Sequence, residues 1–386
     1  MEKLQNIIQK FSSLYATKPY LYRAPGRINI IGEHTDYNKG FVLPAAISKE
    51  MYFALAPNND KKIRLYAFDM NEFFEISLAE ISKPSKCIWA NYMLGVIAQL
   101  TKRSLKITGV DVVFGGTIPI GAGVSSSAAI ECGFLFALND IYNLQLDDIS
   151  IAQYAQYAEH EFIGVQCGIM DQFAVVFGKK DSALWLDCDT LEHAYIPLLL
   201  HDYKIVLCNS NVTHTLASSE YNVRRNQCVE GVQLIAKKYP SVTSLRDVSL
   251  SMLEDCRTFM PQILYNRCLF VVQENARVHA MCDALKKNDV ALIGDLLYQS
   301  HEGLQHVYEV SCNELDELVA IAQQIPGVLG ARMMGGGFGG CTLQVVHNES
   351  IELFIETVKK EYYIPRNQTE NIIITEISQG VSKINL

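Results

Sequence analysis

The sequence predicts an α+β protein of two domains. Its 386 residues suffice for about two domains of ordinary size. Strand patterns dominate the first hundred residues, whereas helices separated by alternating strands fill the last two hundred, a layered arrangement. No internal repeat, low-complexity tract or long linker interrupts the chain, so a division near residue 200, into 1–200 and 201–386, implies two closely packed halves.

Taken in order, residues 1–16 carry an amphipathic helical pattern. A strand is expected around Ile28, Ile30 and Ile31, then a polar loop over 32–40 with Glu33, His34, Asp36, Asn38 and Lys39. Strands expected at 51–56, 62–68 and 73–78 form an antiparallel meander. A helix follows Trp89 over 90–101, and a strand covers 110–114. The stretch PIGAGVSSSAA, 119–129, then leads into a helix ending near 141. Another helix, 149–162, is broken by GVQCGIMD at 164–171 before a short helix at 172–177 and a strand at 182–187. Beyond residue 200 the pattern gives a strand at 204–208, helices around 218–238, 264–284, 290–306 and 315–324, and the cluster GGGFGG at 335–340. A strand at 341–347, a helix at 351–361 and a strand at 372–377 close the chain.

Nearly half the residues are hydrophobic, mean hydropathy is near zero, and no apolar run reaches the ~18 residues of a membrane span. The first residues lack the long apolar core of a secretory signal. Eleven cysteines, none in a CxxC pair and several inside apolar runs, are expected to be free buried thiols in a reducing compartment, so a cytoplasmic protein is expected. A formal net charge of −9 argues against nucleic-acid binding. It also means that any phosphate ligand needs local positive potential from arginines, helix starts or a metal ion.

Four stretches combine residues suited to chemistry. In the glycine–serine loop, Gly121 and Gly123 allow close backbone approach, and serines are favoured helix caps. A helix start with free N–H groups and hydroxyls is an anion site. The loop lacks the Gly-Lys-Ser/Thr of a Walker sequence, and a serine-capped core helix is the bland alternative. Asp171, just before a helical run, reads either as a cap or as a base orienting a hydroxyl; a weak base suits the loose transition state of phosphoryl transfer. Arg27 reads as a surface arginine or as a cation beside Asp171 or the transferring phosphoryl. Glu159 reads as a solvated helix residue or, with Ser127, as part of a Mg²⁺ shell completed by phosphate oxygens and waters. Glu33 and Asp36 suit polyol recognition, because each carboxylate accepts several hydroxyl hydrogens. The cluster GGGFGG holds much glycine for one turn, which favours close approach to a ligand over a plain hairpin.

These segments together resemble the galactokinase family, a branch of the GHMP small-molecule kinases. GRINIIGEHTDYN at 26–38 is similar to the family's sugar signature. PIGAGVSSSAA is similar to its second motif, with Val124 where leucine is common, and ARMMGGGFGGC at 331–341 to its third. CGIMDQ at 167–172 and SNVTHTLASSEYNVRRNQC at 210–228 extend the likeness over nearly the whole chain. The resemblance implies the two-domain GHMP kinase fold, with a ribosomal-S5-like mixed-sheet first half, a ferredoxin-like second half and the active site between them. It implies ATP and Mg²⁺, and transfer of the ATP γ-phosphate to the C1 hydroxyl of α-D-galactose, the first step of galactose breakdown. Asp171 would be the base. Arg27 would stabilise the transition state and keep Asp171 in its carboxylate form. Glu33, His34, Thr35, Asp36 and Tyr221 would line the sugar site, and Gly121, Ala122, Gly123, Val124, Ser125, Ser126 and Ser127 would wrap the phosphates. Ser127 and Glu159 would hold the metal, with Trp89 near the nucleotide. The partners implied are small molecules only, with no nucleic acid, no membrane and a monomeric chain. A kinase for a related sugar, such as N-acetylgalactosamine or arabinose, is the enzymatic alternative. A sugar sensor without turnover is the non-enzymatic one, and the intact set Asp171, Arg27, Ser126, Ser127 and Ala128 argues against it.

Overall fold

The computed structural model describes residues 2–119, 121–213 and 217–385. Ile120 of the glycine–serine loop and residues 214–216 of the motif at 210–228 therefore lie outside the described residues. In chain order the first half contains α1 (Glu2–Leu14), β1 (Tyr20–Asn29), β2 (Phe41–Val42), β3 (Pro44–Pro57), β4 (Lys62–Ala67), β5 (Glu72–Ser77), α2 (Ala90–Lys102) and β6 (Val110–Gly116). It continues with α3 (Ser126–Tyr142), α4 (Asp148–Ala158), α5 (Met170–Phe177), β7 (Ser182–Asp187) and β8 (His193–Pro197). The second half has β9 (Tyr203–Thr213), α6 (Ala217–Ala236), α7 (Leu250–Cys256), α8 (Gln262–Lys287), α9 (Val290–Glu302) and α10 (Asn313–Gln323). It ends with β10 (Val328–Met333), β11 (Gly339–His347), α11 (Ile351–Val358), β12 (Ile372–Thr375) and β13 (Ser382–Lys383).

The expected meander is corrected by the sheet order, β13-β1-β3-β6-β4-β5. Strand β6 inserts between β3 and β4 and runs parallel to β4, because α2 carries the chain back across the sheet before β6 begins. Period-2 alternation gives this sheet two apolar faces. Leu21, Ala54 and Val113 point to α1 with Ile7 and Phe11, whereas Tyr22, Phe53 and Val112 point into the main core with Ala128 and Cys132 of α3. Two-residue strands such as β2 and β13 are too short to show a period, and α7 is too brief to stand out from its loop.

The second half is built on the antiparallel sheet β10-β11-β9-β12. One face packs on α10 and α11 through Val206, Cys208, Leu318 and Phe354. The other, through Leu207, Leu343 and Val345, joins the same core that fills the first half, together with Val278 and Met281 of α8. A single apolar core thus runs through both halves. The chain's last strand also crosses back over the expected division at residue 200, since β13 pairs with β1. Helix α8 secures the polar loop 32–40 at both ends: Glu274 accepts from the Gly32 amide at 3.0 Å, and Asn275 from the Phe41 amide at 3.0 Å.

Candidate active site

Four stretches far apart in sequence meet where the edge of β1, the start of α3, the start of α5 and the β10–β11 turn converge. The meeting begins in the backbone. The Arg27 amide bonds Val124 O at 3.1 Å, where β1 is bulged between Pro25 and Arg27. A Cβ on Gly26 would sit 2.8 Å from the same carbonyl, so glycine is required for the loop to lie against the strand.

The Arg27 side chain completes the junction. Its Nε and Nη2 donate to the two oxygens of Asp171 at 2.8 and 2.9 Å, a bidentate pair, and Nη1 donates to Gly123 O at 2.7 Å. Arg27 is buried, so this pairing fixes Asp171 against the glycine–serine loop. Two expectations about caps are corrected here. Ile169, not Asp171, caps α5, and Asp171 lies in its first turn with its carboxylate turned to Arg27. Ser125, at the cap of α3, takes a left-handed φ of 59° and makes no side-chain cap; its hydroxyl donates to Asp171 instead. The amides at the start of α3 are thereby left free of side-chain acceptors, as an anion site needs.

Two cavities abut across this pair. One, of about 260 Å³, is lined by Arg27, Glu33, His34, Asp36, Glu159, Asp171, Tyr221 and the turn Gly335-Gly336-Gly337. The other, of about 270 Å³, is lined by Arg27, Pro119, every residue from Gly121 to Ser127, Asp171, Gly335 and Gly336. Arg27, Asp171 and the first two glycines of the β10–β11 turn belong to both. The glycine cluster therefore does form a hairpin, and its backbone is also part of both walls. The reason Gly337 must be glycine is different: its φ is +80° and a Cβ would stand 2.0 Å from Val310 O.

The first cavity sets the carboxylates of Glu33, Asp36, Glu159 and Asp171 beside Arg27, His34 and Tyr221. Glu33 is buried and accepts from Arg332 Nη2 at 2.8 Å and from the Gly335 amide at 2.9 Å. Asp36 accepts from the Tyr37 amide at 2.9 Å; burial, then the neighbouring Asp171 charge, pushes its carboxyl up to about 7. Burial drives His34 down to about 3, so its ring is neutral. Tyr221 packs on His34 and Tyr37, with ring centroids 5.5 and 5.1 Å away, and closes the wall over Gly336. Thr35 is a correction: its hydroxyl donates backward to the carbonyls of Gly32 and Phe41 at 2.8 and 2.6 Å, so it holds the loop and does not line the cavity. Trp89 lines neither cavity; it donates to Glu72 at 2.6 Å and packs on Phe114.

Glu159 opens the wide turn Glu159–Ile163 that ends α4, closed by the Gly164 amide on Glu159 O at 2.9 Å. It is buried and turned inward, not solvated. Gln172 donates to it at 3.0 Å, and Ser127 is within hydrogen-bonding reach. Burial, then Asp171, pushes its carboxyl up to about 7. Among the described residues no cluster of three His, Cys, Asp or Glu ligands occurs. One carboxylate and one hydroxyl beside the glycine–serine loop fit Mg²⁺, which keeps waters and binds substrate phosphates, and do not fit a closed all-protein metal site.

Sequence reasoning missed Arg332, Gln172 and Glu131. Arg332 is fully buried and donates to Ile30 O and Asn29 O as well as to Glu33, so it welds the β10–β11 turn to the end of β1 and the loop 32–40. A lone arginine inside the apolar run before GGGFGG was the available signal. Glu131, one turn along α3 from Ser127, is buried with both carboxyl oxygens unpartnered.

This fold and paired-cavity site define a GHMP-type small-molecule kinase. Residues 91–179 match the GHMP kinases N terminal domain, and residues 281–364 match the GHMP kinases C terminal domain. The Methanococcus jannaschii mevalonate kinase shares the fold, with a TM-score of 0.69 at 19% identity over 95% of this chain and 100% of that one. Residues 9–57 match the galactokinase galactose-binding signature. A galactokinase of Thermosipho africanus is 42% identical over 94% of this chain and 99% of its own, and one of Clostridium acetobutylicum 38% identical over the full length of both. The Lactococcus lactis galactokinase solved with galactose superimposes with a TM-score of 0.94 at 34% identity, covering 99% of this chain and 100% of that one. The chain belongs to the galactokinase family.

Proposed function

We propose that the chain transfers the γ-phosphoryl group of ATP to the C1 hydroxyl of α-D-galactose, giving galactose 1-phosphate and ADP. The observation that carries this reading is the shared wall: Asp171 and Arg27 belong at once to an acceptor-rich cavity suited to a polyol and to a glycine–serine cavity suited to phosphates. A hydroxyl held in the first cavity faces Asp171, which accepts its proton as the oxygen attacks. Arg27, already bidentate to Asp171, places positive charge where the phosphoryl passes. Glu33, His34, Asp36 and Tyr221 hold the sugar. The backbone from Gly121 to Ser127, with the start of α3, receives the phosphates. Ser127 and Glu159 would hold Mg²⁺, which when bound neutralises phosphate charge. The eleven cysteines are all free, which supports a reducing compartment such as the cytoplasm. Among the described residues no helix is long and apolar enough to cross a membrane.

The test is Asp171→Asn, assayed by ADP release across galactose, glucose, N-acetylgalactosamine and arabinose. Wild type should turn over galactose with the highest kcat/KM. The variant should lose about 10²–10⁴-fold in kcat while its galactose Kd stays within about threefold. Turnover within tenfold of wild type would remove Asp171 as base. Preference for another of the four sugars would reassign the substrate.

A further inference from the structure

A chain of hydrogen bonds runs from the sugar cavity into the second half of the protein. His34 Nδ1 lies 2.6 Å from the Tyr37 hydroxyl, that hydroxyl lies 2.7 Å from the Tyr308 hydroxyl, and the Tyr308 hydroxyl lies 3.2 Å from Cys228 Sγ. Each of the three gaps needs one proton. The two phenols supply two. The third comes from one end or the other: from His34 Nδ1–H, in which case the chain points toward Cys228, or from the Cys228 thiol, in which case it points toward His34. Burial keeps every member neutral, holding His34 down near 3, the thiol up at about 11, and both phenols well above their usual range.

The ring end favours the second direction. There Nε2 is buried without a hydrogen-bond partner, and the Gly336 backbone lies close to the ring on its acceptor side. The carboxylates of Glu33 and Asp36 share that wall. A bare lone pair at Nε2 would confront acceptors; an N–H there would complement them.

We propose that Tyr37 and Tyr308 are positioning residues that, through a one-way chain of hydrogen bonds from Cys228, hold His34 as the Nε2–H tautomer and so give the sugar cavity a fixed donor beside its carboxylates. This rests on the cavity being the sugar site. A sugar hydroxyl beside His34 then accepts from Nε2–H while donating to a neighbouring carboxylate, and an atom that cannot accept is rejected there.

The experiment is long-range ¹⁵N–¹H NMR on the full chain with ¹⁵N-labelled histidine, His34 being assigned by its loss in His34→Asn. In the sugar-free wild type the expected pattern is protonated Nε2 and bare Nδ1, unchanged between pH 6 and 8. Tyr37→Phe should introduce the Nδ1–H form and raise galactose KM about tenfold, the worth of one buried hydrogen bond, with ATP KM unchanged. Tyr308→Phe should shift both in the same direction by less, and Cys228→Ser, which keeps a donor, should match wild type. A wild-type His34 protonated at Nδ1 would overturn the proposal without any variant. So would a folded Tyr37→Phe with unaltered tautomer and unaltered galactose KM. Because the tautomer is read in the free protein, failure to phosphorylate galactose would sink the functional reading separately.

Discussion

Gly168 lies between the sugar cavity and the start of α5, and replacing it with alanine should strike the sugar and spare the nucleotide. A Cβ there would sit 1.8 Å from Asp36 Oδ2, 2.1 Å from Asp36 Cγ and 2.7 Å from Asp36 Cβ. Ordinary contact begins near 3.4 Å, so the carboxylate must withdraw by about 1.5 Å. Rotation about χ1 cannot achieve this, because Cβ is itself inside the contact distance, and Oδ1 is tied to the Tyr37 amide. Displacing a positioned group by about 1 Å can cost roughly 10²-fold, or about 2.7 kcal/mol. Gly168→Ala should therefore raise galactose KM between tenfold and a hundredfold. ATP KM should stay within threefold, since neither Gly168 nor Asp36 lines the phosphate cavity. Steady-state kinetics with each substrate varied in turn, plus calorimetric titration of galactose, would measure both. The clash also predicts non-additivity: in an Asp36→Ala background, where the two closest atoms are gone and only the Cβ contact at 2.7 Å remains, Gly168→Ala should add much less than it does in wild type. A galactose KM within threefold of wild type, or full additivity with Asp36→Ala, would refute the assignment of Asp36 to the sugar.

Two further outcomes follow from buried carboxyls. Asp36 is raised to about 7 by burial first and by Asp171 next, with smaller opposing effects of Glu33 and Arg27, and sugar hydroxyls donate to its ionised form. Galactose KM should therefore fall as pH rises through about 7 and level off above 8, standing about tenfold above the plateau at pH 6; a flat profile from pH 5.5 to 8.5 would dissociate Asp36 from binding. Glu131 is raised well above its ordinary value by burial and then by Glu159, so the native state holds a proton that the unfolded chain releases above about 4.5. Wild-type stability should thus fall with rising pH relative to Glu131→Gln, the gap widening by as much as about 1.4 kcal/mol per unit between pH 5 and 7. Urea titrations at three pH values would show it, and a pH-independent gap would mean that Glu131 is charged in the folded protein.

What the sequence made legible was local. Apolar runs located β6, α3 and α8, whereas the strand expected around Ile28, Ile30 and Ile31 lies earlier, as β1 at Tyr20–Asn29. The motifs around Arg27, Asp171 and the serines could be found because each is a compact run of unusual residues. What stayed illegible was pairing across distance. Arg332 meets Glu33 across about three hundred residues, and nothing local marks an arginine in an apolar strand as the partner of a loop carboxylate. The order of β3, β6 and β4 was missed because sequence neighbours are the default partners, and only the crossover through α2 overrides them. Thr35 was misplaced because its motif neighbours on both sides, His34 and Asp36, do face the cavity, and a left-handed His34 at φ 62° turns the next side chain behind the wall.

The same distant pairings answer the charge problem set by an acidic chain. The two arginines at the site are not free cations: Arg27 is bidentate to Asp171, and Arg332 is spent on Glu33 and three backbone carbonyls. Neither cavity wall includes a lysine among the described residues. On the proposed function, phosphate binding would draw on groups with no counter-charge of their own, namely the amides at the start of α3 and of the glycine turns, with a divalent ion that Glu159 and Ser127 would hold. This division explains why the hydroxyl of Ser125 serves Asp171 and not the helix: a side-chain cap would occupy the amides that the phosphates need. Backbone amides and a bound ion supply focused, short-range potential, which leaves the outer surface free to remain negative.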